Sequence, residues 1–229
     1  MHQVATAVLV PMYNEGRVVG PVVAELRSEF NLVICVDDGS DDNSSDVARQ
    51  AGATVLRHQV NLGQGAALQT GIDYALARTT VQHLVTFDAD GQHSVRDAVD
   101  MVAAAQATGV DVVLGSRNIG TTVDQPAARR LLLSAALRYS RWSTGLDLTD
   151  THNGLRVLNR RALELFRLRQ QGMAYASELE ASIVEHGLSW IEHPVTISYS
   201  DYSRGKGQHN LNAFNIVYDL MVARLSPST

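Results

Sequence analysis

Short apolar runs alternate with stretches of helical spacing through the first half of this sequence, and that rhythm limits the fold more than any other feature. The runs are Ala5 to Val10, Leu32 to Val36, Thr54 to Leu56, Leu84 to Phe87 and Val110 to Gly115. Between them, Val18 to Phe30, Ser44 to Ala51, Ala66 to Ala77 and Val95 to Ala107 have the spacing and composition of helices. Strands joined through helices pair in parallel and are covered on both faces, so an α/β fold with a mostly parallel sheet flanked by helices is expected. Asp41, Asp42 and Asn43 offer N-caps for the second helix and Ser94 for the fourth.

After Gly120 the pattern changes to an Arg-rich helix near Ala127 to Trp142, a strand around Leu155 to Leu158, a helix near Ser177 to His186 and a strand from Trp190 to Tyr199. A polar, Gly-rich loop follows from Ser200 to Asn210. Leu211, Phe214, Val217, Met221 and Leu225 then recur at helical spacing, a stripe that suits a core face or, alternatively, an interfacial helix. No internal repeat, low-complexity tract or linker divides the chain, so residues 1–229 are expected to form a single domain.

Composition narrows the setting. With 229 residues, 45% of them hydrophobic, the chain can bury a full core unaided. Cys35 is the only cysteine and lies inside an apolar run, which excludes a disulfide framework or a Cys-based zinc site and fits a reducing, cytoplasmic compartment. Neither a signal peptide nor a window approaching the roughly 20 apolar residues of a membrane span is present, so a soluble or peripheral protein is expected. The net charge of -5 is unevenly spread. Residues 1–115 hold six Arg against fourteen acids, net -8, and residues 116–229 hold thirteen Arg plus Lys against ten acids, net +3. Such a front half can hold a metal and such a second half an anion or membrane headgroups, although solvated helix faces give the same count. The negative net charge and the lack of a recognised motif argue against nucleic-acid binding.

Ligands of open α/β sheets bind beyond the carboxyl ends of the strands, and those positions are rich here. The first strand leads into Pro11-Met12-Tyr13-Asn14-Glu15, the second into Asp37-Asp38-Gly39-Ser40, the fourth into Asp88-Ala89-Asp90-Gly91-Gln92-His93 and the fifth into Ser116-Arg117. Asp88 and Asp90 can approach one point if the chain turns there, and oxygen ligands so placed suit Mg²⁺ or Mn²⁺, with Gln92 or His93 completing the set. Asp38 is placed to accept hydrogen bonds from a base or ribose, or is simply part of a turn. Asn61 to Ala67 opens a helix whose N-terminus favours an anion, yet its Gly spacing matches neither a P-loop nor a dinucleotide fingerprint.

Taken in order, Val10-Pro11-Met12-Tyr13-Asn14-Glu15, Asp37-Asp38-Gly39-Ser40, Asn61-Leu62-Gly63-Gln64-Gly65, Asp88 to His93 and Gly115-Ser116-Arg117 resemble glycosyltransferase family 2. Closer still is its dolichyl- or polyprenyl-phosphate mannosyl- and glucosyltransferase branch. Asp150 to Arg156 is similar to that branch's Asp-x-x-x-Gly-x-Arg segment, and Arg204-Gly205-Lys206-Gly207 to its basic loop. The resemblance runs from about Val4 to Gln208 and implies a GT-A fold. In it, 1–115 would be the nucleotide-sugar-binding half, 116–210 the acceptor half and 211–229 a C-terminal amphipathic helix and tail.

The resemblance implies that Pro11, Tyr13, Glu15, Val36 and Asp38 line the base and ribose, and that Asp88, Asp90 and Gln92 hold Mg²⁺ or Mn²⁺ on the diphosphate. Gln64 and Ala89 would join the donor site, Arg204 and Lys206 would close over it, and Arg117, Arg130 and Ser134 would grip the acceptor phosphate. Asp88, Asp90 and Arg117 are thereby the expected catalytic residues. Gln64 stands where many relatives carry Lys, and the sequence stops where many relatives continue into membrane helices. Lys206 is the only lysine, which favours a function for its Gly-rich loop.

The acceptor class has a physical rationale. A sugar hydroxyl needs a base to take its proton, whereas a phosphate monoester, with a second pKa of about 6, is already largely ionised. It needs cations that orient it, and Arg does this with a planar fork. Arg130 and Ser134 are one helical turn apart and can face one ligand. A single in-line displacement with inversion is expected, on a protein peripheral to the inner face of the cell membrane and attached there directly or through a small membrane protein. The alternatives are a transferase using Glu178 or Asp150 as base for a soluble acceptor, and a non-catalytic nucleotide-sugar-binding protein. Glu178 and Glu180 otherwise read as acids favouring a helix start, His152, His186 and His193 lack zinc-site spacing, and Trp142 and Trp190 read as core or interface anchors.

Overall fold

A computed structural model describes residues 6–123, 145–150, 153–168 and 175–198. The elements are β1 (Thr6–Met12), α1 (Val19–Glu29), β2 (Leu32–Asp37), α2 (Ser44–Gln50), β3 (Thr54–Arg57), α3 (Gln64–Arg78), β4 (His83–Thr86), α4 (Val95–Thr108), β5 (Val112–Val123), β6 (Arg156–Asn159), α5 (Arg160–Leu165), α6 (Tyr175–Glu185) and β7 (Trp190–Ser198).

The strands form one seven-stranded sheet in the order β3-β2-β1-β4-β6-β5-β7. All neighbours pair in parallel except β6, which runs antiparallel to both β4 and β5. Chain order reverses beside β1, with β2 on one side and β4 on the other, which is where an open sheet leaves a crevice. Because β6 runs backwards, its first residues lie at the same end of the sheet as the last residues of β1, β2 and β4.

Alternation along the strands explains why both faces are apolar. Leu9, Ile34, Leu84, Val112 and Leu158 meet Leu68 and Ile72 of α3, Leu163 of α5 and Leu179 and Ile183 of α6. Val8, Val10, Val33, Cys35, Val85 and Val157 meet Val23 and Leu26 of α1, Ala48 of α2 and Met101 of α4. Strands covered on both sides read as continuous apolar runs, which is why β1 and β2 stood out in the sequence.

Several boundaries differ from expectation for local reasons. Ser94 caps α4 by accepting from the Asp97 amide at 3.4 Å, as expected, and Gly109 ends that helix in the left-handed region at φ 69°. At α2, Asn43 makes no side-chain cap; Asp42 Oδ1 instead accepts from the Ser44 amide at 2.9 Å. The helix α5 was not expected from the sequence, although Asn159 Oδ1 caps it through the Ala162 amide at 2.9 Å. The expected helices at 127–142 and 211–225 lie outside the described residues. Among the described residues, no helix is long and apolar enough to cross a membrane.

Cys35 is fully buried on β2, and burial, followed by the charge of Asp37, pushes its thiol up to about 12. It should therefore resist a thiol-reactive dye at neutral pH in the native protein and react stoichiometrically in denaturant. Fast labelling without denaturant would contradict this packing.

Candidate active site

The loops after β1 and β2 are tied together by their own polar side chains. Asn14 adopts φ 54°, its amide donates to Ser40 Oγ at 2.9 Å, and its Oδ1 accepts from the Asp41 amide at 2.9 Å. Asn tolerates that left-handed conformation better than most residues. The Glu15 amide donates to Ser44 Oγ at 2.8 Å and the Gly16 amide to Asp42 Oδ2 at 3.0 Å, while the Glu15 carbonyl accepts from Val18 and Val19 at the start of α1. Asp37 is internal: its carboxylate accepts from the Ser40 amide at 2.8 Å and from Ser45 Oγ.

Asp38 serves as the anchor of the next loop. Its carboxylate accepts from the Leu62 amide at 2.9 Å, the Gly63 amide at 2.7 Å and His58 Nδ1 at 2.7 Å, and His58 Nε2 bonds Thr70 Oγ1 at 2.9 Å. Gly39, at φ +78°, lets this loop close in, since a Cβ there would sit 2.7 Å from the Val60 carbonyl carbon. A carboxylate accepting several N–H bonds holds the backbone that supplies them.

Asp88 and Asp90 follow β4. Asp88 Oδ2 accepts from His93 Nε2 at 2.9 Å and Oδ1 from Gln64 Nε2 at 3.3 Å. Burial pushes the Asp88 carboxyl up, but the hydrogen bond and charge of His93, the charge of Arg156 and the Gln64 bond outweigh it and hold the group below its ordinary range. Asp90 is pushed up to about 6, first by burial and then by the charge of Asp88, although the Gln92 amide donates to its Oδ1 at 3.1 Å. Two carboxylates that disfavour each other's ionisation in a half-buried site fit a hard divalent cation, which relieves that repulsion. Among the described residues no group of three or more His, Cys, Asp or Glu could form a complete metal cage. His93 Nε2 is engaged with Asp88, and Gln92 lines the same cleft.

Across from this pair, the Gly154 carbonyl accepts from Thr86 Oγ1 at 2.6 Å, and a Cβ on Gly154 would lie 2.1 Å from Asp88 Oδ2. Arg156 is buried beneath Tyr175, its guanidinium 5.4 Å from the ring centroid. Arg117 grips Asp150 with a fork, Nε to Oδ2 and Nη2 to Oδ1 both at 2.7 Å, while its amide also donates to Oδ2 at 3.0 Å. Glu192 accepts from the Thr149 amide at 2.8 Å and the Asp150 amide at 3.2 Å, which pins the segment that carries Asp150.

These pieces surround one cleft of about 360 Å³ at the carboxyl end of the sheet. Of the residues singled out in the sequence, Pro11, Tyr13, Glu15, Asp38, Gln64, Asp88, Ala89, Asp90, Gln92 and Arg117 line it. Val36 is a correction as far as its side chain goes: that side chain is fully buried in the core cluster with Leu9, Ile34 and Leu68, which leaves only its backbone to face a ligand. Strand alternation turns it toward α3, one residue before the exit from the sheet. Arg130, Ser134, Arg204 and Lys206 lie outside the described residues. Met12, Asn61, His93, Asn153, Gly154, Tyr175 and Ile197 also line the cleft. The sequence flagged His93 and the Asn153-Gly154 segment without giving the latter a role, and it carried no signal for Tyr175.

A parallel-dominated sheet with a carboxylate pair at its crevice is a place where many chemistries can be hosted, and comparison with known proteins gives the class. The sequence matches the description "Glycosyl transferase family 2" over residues 7–166, and the chain belongs to that family of glycosyltransferases. It is 26% identical to UDP-N-acetylglucosamine–dolichyl-phosphate N-acetylglucosaminyltransferase of Methanococcus voltae, covering 95% of each chain. It is 30% identical to polyprenol monophosphomannose synthase of Mycolicibacterium smegmatis, covering 84% of this chain and 77% of that one. Glucosyl-3-phosphoglycerate synthase of Mycobacterium tuberculosis, solved in complex with Mn²⁺, UDP and glucosyl-3-phosphoglycerate, has the same GT-A fold. It superposes with a TM-score of 0.70 at 18% identity over 98% of this chain and 81% of that one.

Gly154→Ala should displace Asp88 and weaken Mn²⁺ binding about tenfold or more, as changes behind a metal ligand do. Metal titration by electron paramagnetic resonance, beside circular dichroism showing an intact fold, checks this. Unchanged affinity in a folded variant would refute the placement of Asp88.

Proposed function

We propose that this glycosyltransferase moves a hexose from a UDP- or GDP-linked donor to a polyprenyl phosphate, by one in-line displacement with inversion. The observation that carries the reading is the Asp88 and Asp90 pair, set in a cleft whose neighbouring walls come from the ends of β1 and β2 on one side and from Arg117 on the other. Mg²⁺ or Mn²⁺ at that pair would offset the charge that builds on the departing nucleoside diphosphate. Support for the acceptor comes from the two relatives above, whose names join a sugar to dolichyl phosphate or to a polyprenol monophosphate.

In this reading Pro11, Tyr13 and Glu15 border the base and ribose, and the loop organised by Asp38 closes that end of the cleft. His93 and Gln64 hold Asp88 as an anion ready for the cation, and Ala89 leaves room beside it. Arg117 lines the cleft with its guanidinium oriented by Asp150, and with Arg130 and Ser134 it would orient the acceptor phosphate, which needs no base. Arg204 and Lys206 would close over the donor. Residues 1–115 then serve the donor and 116–210 the acceptor, with 211–229 as a helix and tail. A lipid acceptor places the enzyme at the inner face of the cell membrane, where its basic half or a small membrane protein would attach it.

The rival with a soluble hydroxyl acceptor needs a free carboxylate base. Asp150 is a poor one, because both its oxygens accept from the Arg117 guanidinium. The test is a transfer assay with purified protein, labelled UDP- and GDP-sugars, Mg²⁺ or Mn²⁺ and detergent-solubilised polyprenyl phosphate, scored by label in the organic phase. Label that requires metal and falls to background in Asp90→Ala is expected. No organic-phase label from a preparation that binds the nucleotide would overturn the lipid-phosphate acceptor.

A further inference from the structure

Asn153 stands out because half of its amide is used and half is not. It is only 5% exposed, and its Oδ1 accepts from the Leu155 amide at 2.9 Å. An N–H can only donate, so this bond fixes the orientation of the carboxamide and leaves the Nδ2 group on the other side. That Nδ2 is buried and has no hydrogen-bond partner among the described residues, although Asn153 lines the cleft. Buried amide donors are almost always satisfied, so one kept unpaired beside a ligand cleft calls for an acceptor supplied by the ligand.

The sheet order says which part of the ligand this is. Asp38 follows β2, Pro11 to Tyr13 lie at the end of β1, Asp88 and Asp90 follow β4, and Asn153 and Gly154 precede β6, the next strand across. A nucleoside diphosphate laid from β2 over β1, with its phosphates at the β4 carboxylates, points whatever is attached to the second phosphate at β6. Resting on the nucleotide-sugar reading above, we infer that Asn153 Nδ2 donates a hydrogen bond to a hydroxyl of the transferred hexose and is a specificity-determining residue for it. Tyr175, buried over the Arg156 guanidinium, also lines the cleft. Gly154 keeps the backbone there close to Asp88, so Asn153 is carried to within reach of a sugar whose phosphate is held at that carboxylate.

A site built to bond a hydroxyl rejects the analogue lacking it, because its own donor is then left unpaired. The test compares the wild type with Asn153→Ala and Asn153→Asp, the latter keeping the Oδ1 acceptor for Leu155 while removing the donor. Each is titrated with UDP and GDP alone, and assayed by kcat/KM with the matching nucleotide sugar and its monodeoxy analogues. The wild type should lose about tenfold or more with one monodeoxy donor, and Asn153→Ala should lose about tenfold with the parent sugar while no longer distinguishing that analogue. Affinity for the nucleoside diphosphate alone should stay within about twofold in Asn153→Ala.

A uniform loss that includes the nucleoside diphosphate would overturn the inference and make Asn153 a structural or phosphate-binding residue. Unchanged discrimination in both variants would overturn it as well. If the wild type binds neither nucleotide, or binds nucleoside diphosphates but transfers from no nucleotide sugar, the failure belongs to the nucleotide-sugar reading itself.

Discussion

Two carboxylates at the end of a buried strand repel each other, and the arrangement around Asp88 and Asp90 is what makes their proximity tolerable. His93 and Gln64 donate to Asp88, and the buried Arg156 adds a positive charge behind it, so Asp88 keeps its charge despite burial. Asp90 bears the cost, pushed up to about 6 by burial and by its neighbour. The pair is thus stable as a protein feature and incomplete as an electrostatic one. In the proposed function a divalent cation would resolve the imbalance, and a diphosphate would complete the cation's shell.

Everything else at the carboxyl end of the sheet keeps that centre in register. The Asp38 carboxylate draws in the Leu62 and Gly63 amides and so fixes the start of α3, from which Gln64 reaches Asp88. On the other flank, antiparallel β6 brings Gly154 against Asp88, a close approach that only a residue without a Cβ allows. The Arg117 and Asp150 fork and the Glu192 bonds to Thr149 and Asp150 hold the segment leading to that glycine. The cleft is therefore a set of loops cross-braced by side chains, on a sheet whose two covered faces supply the rigidity.

Much of this was legible in the sequence because burial on both faces leaves a continuous apolar trace, and because the chemistry sits directly after each such run. Asp88, Asp90, Gln92 and Tyr13 were found that way and share the cleft. Val36 entered only through the family resemblance, and its side chain does not share the cleft. It immediately precedes the polar cluster, but its position in the strand turns it into the core. A four-residue strand carries no local sign of its direction, so the reversal of β6 was not readable, nor was its consequence that Gly154 touches Asp88. Tyr175 went unnoticed because α6 begins before the acidic Ser177-Glu178 step that suggested its start. Residues whose role is a contact between distant segments leave little trace in a single sequence.

Calorimetric titration of the nucleoside diphosphate that matches the donor, with and without Mg²⁺ or Mn²⁺, tests the carboxylate centre most directly when the wild type is set beside Asp88→Asn. Binding that depends on the cation in the wild type, and loses that dependence together with most of its affinity in the variant, is the predicted result. Equal affinity with and without the cation, unchanged by the substitution in a folded protein, would contradict the account.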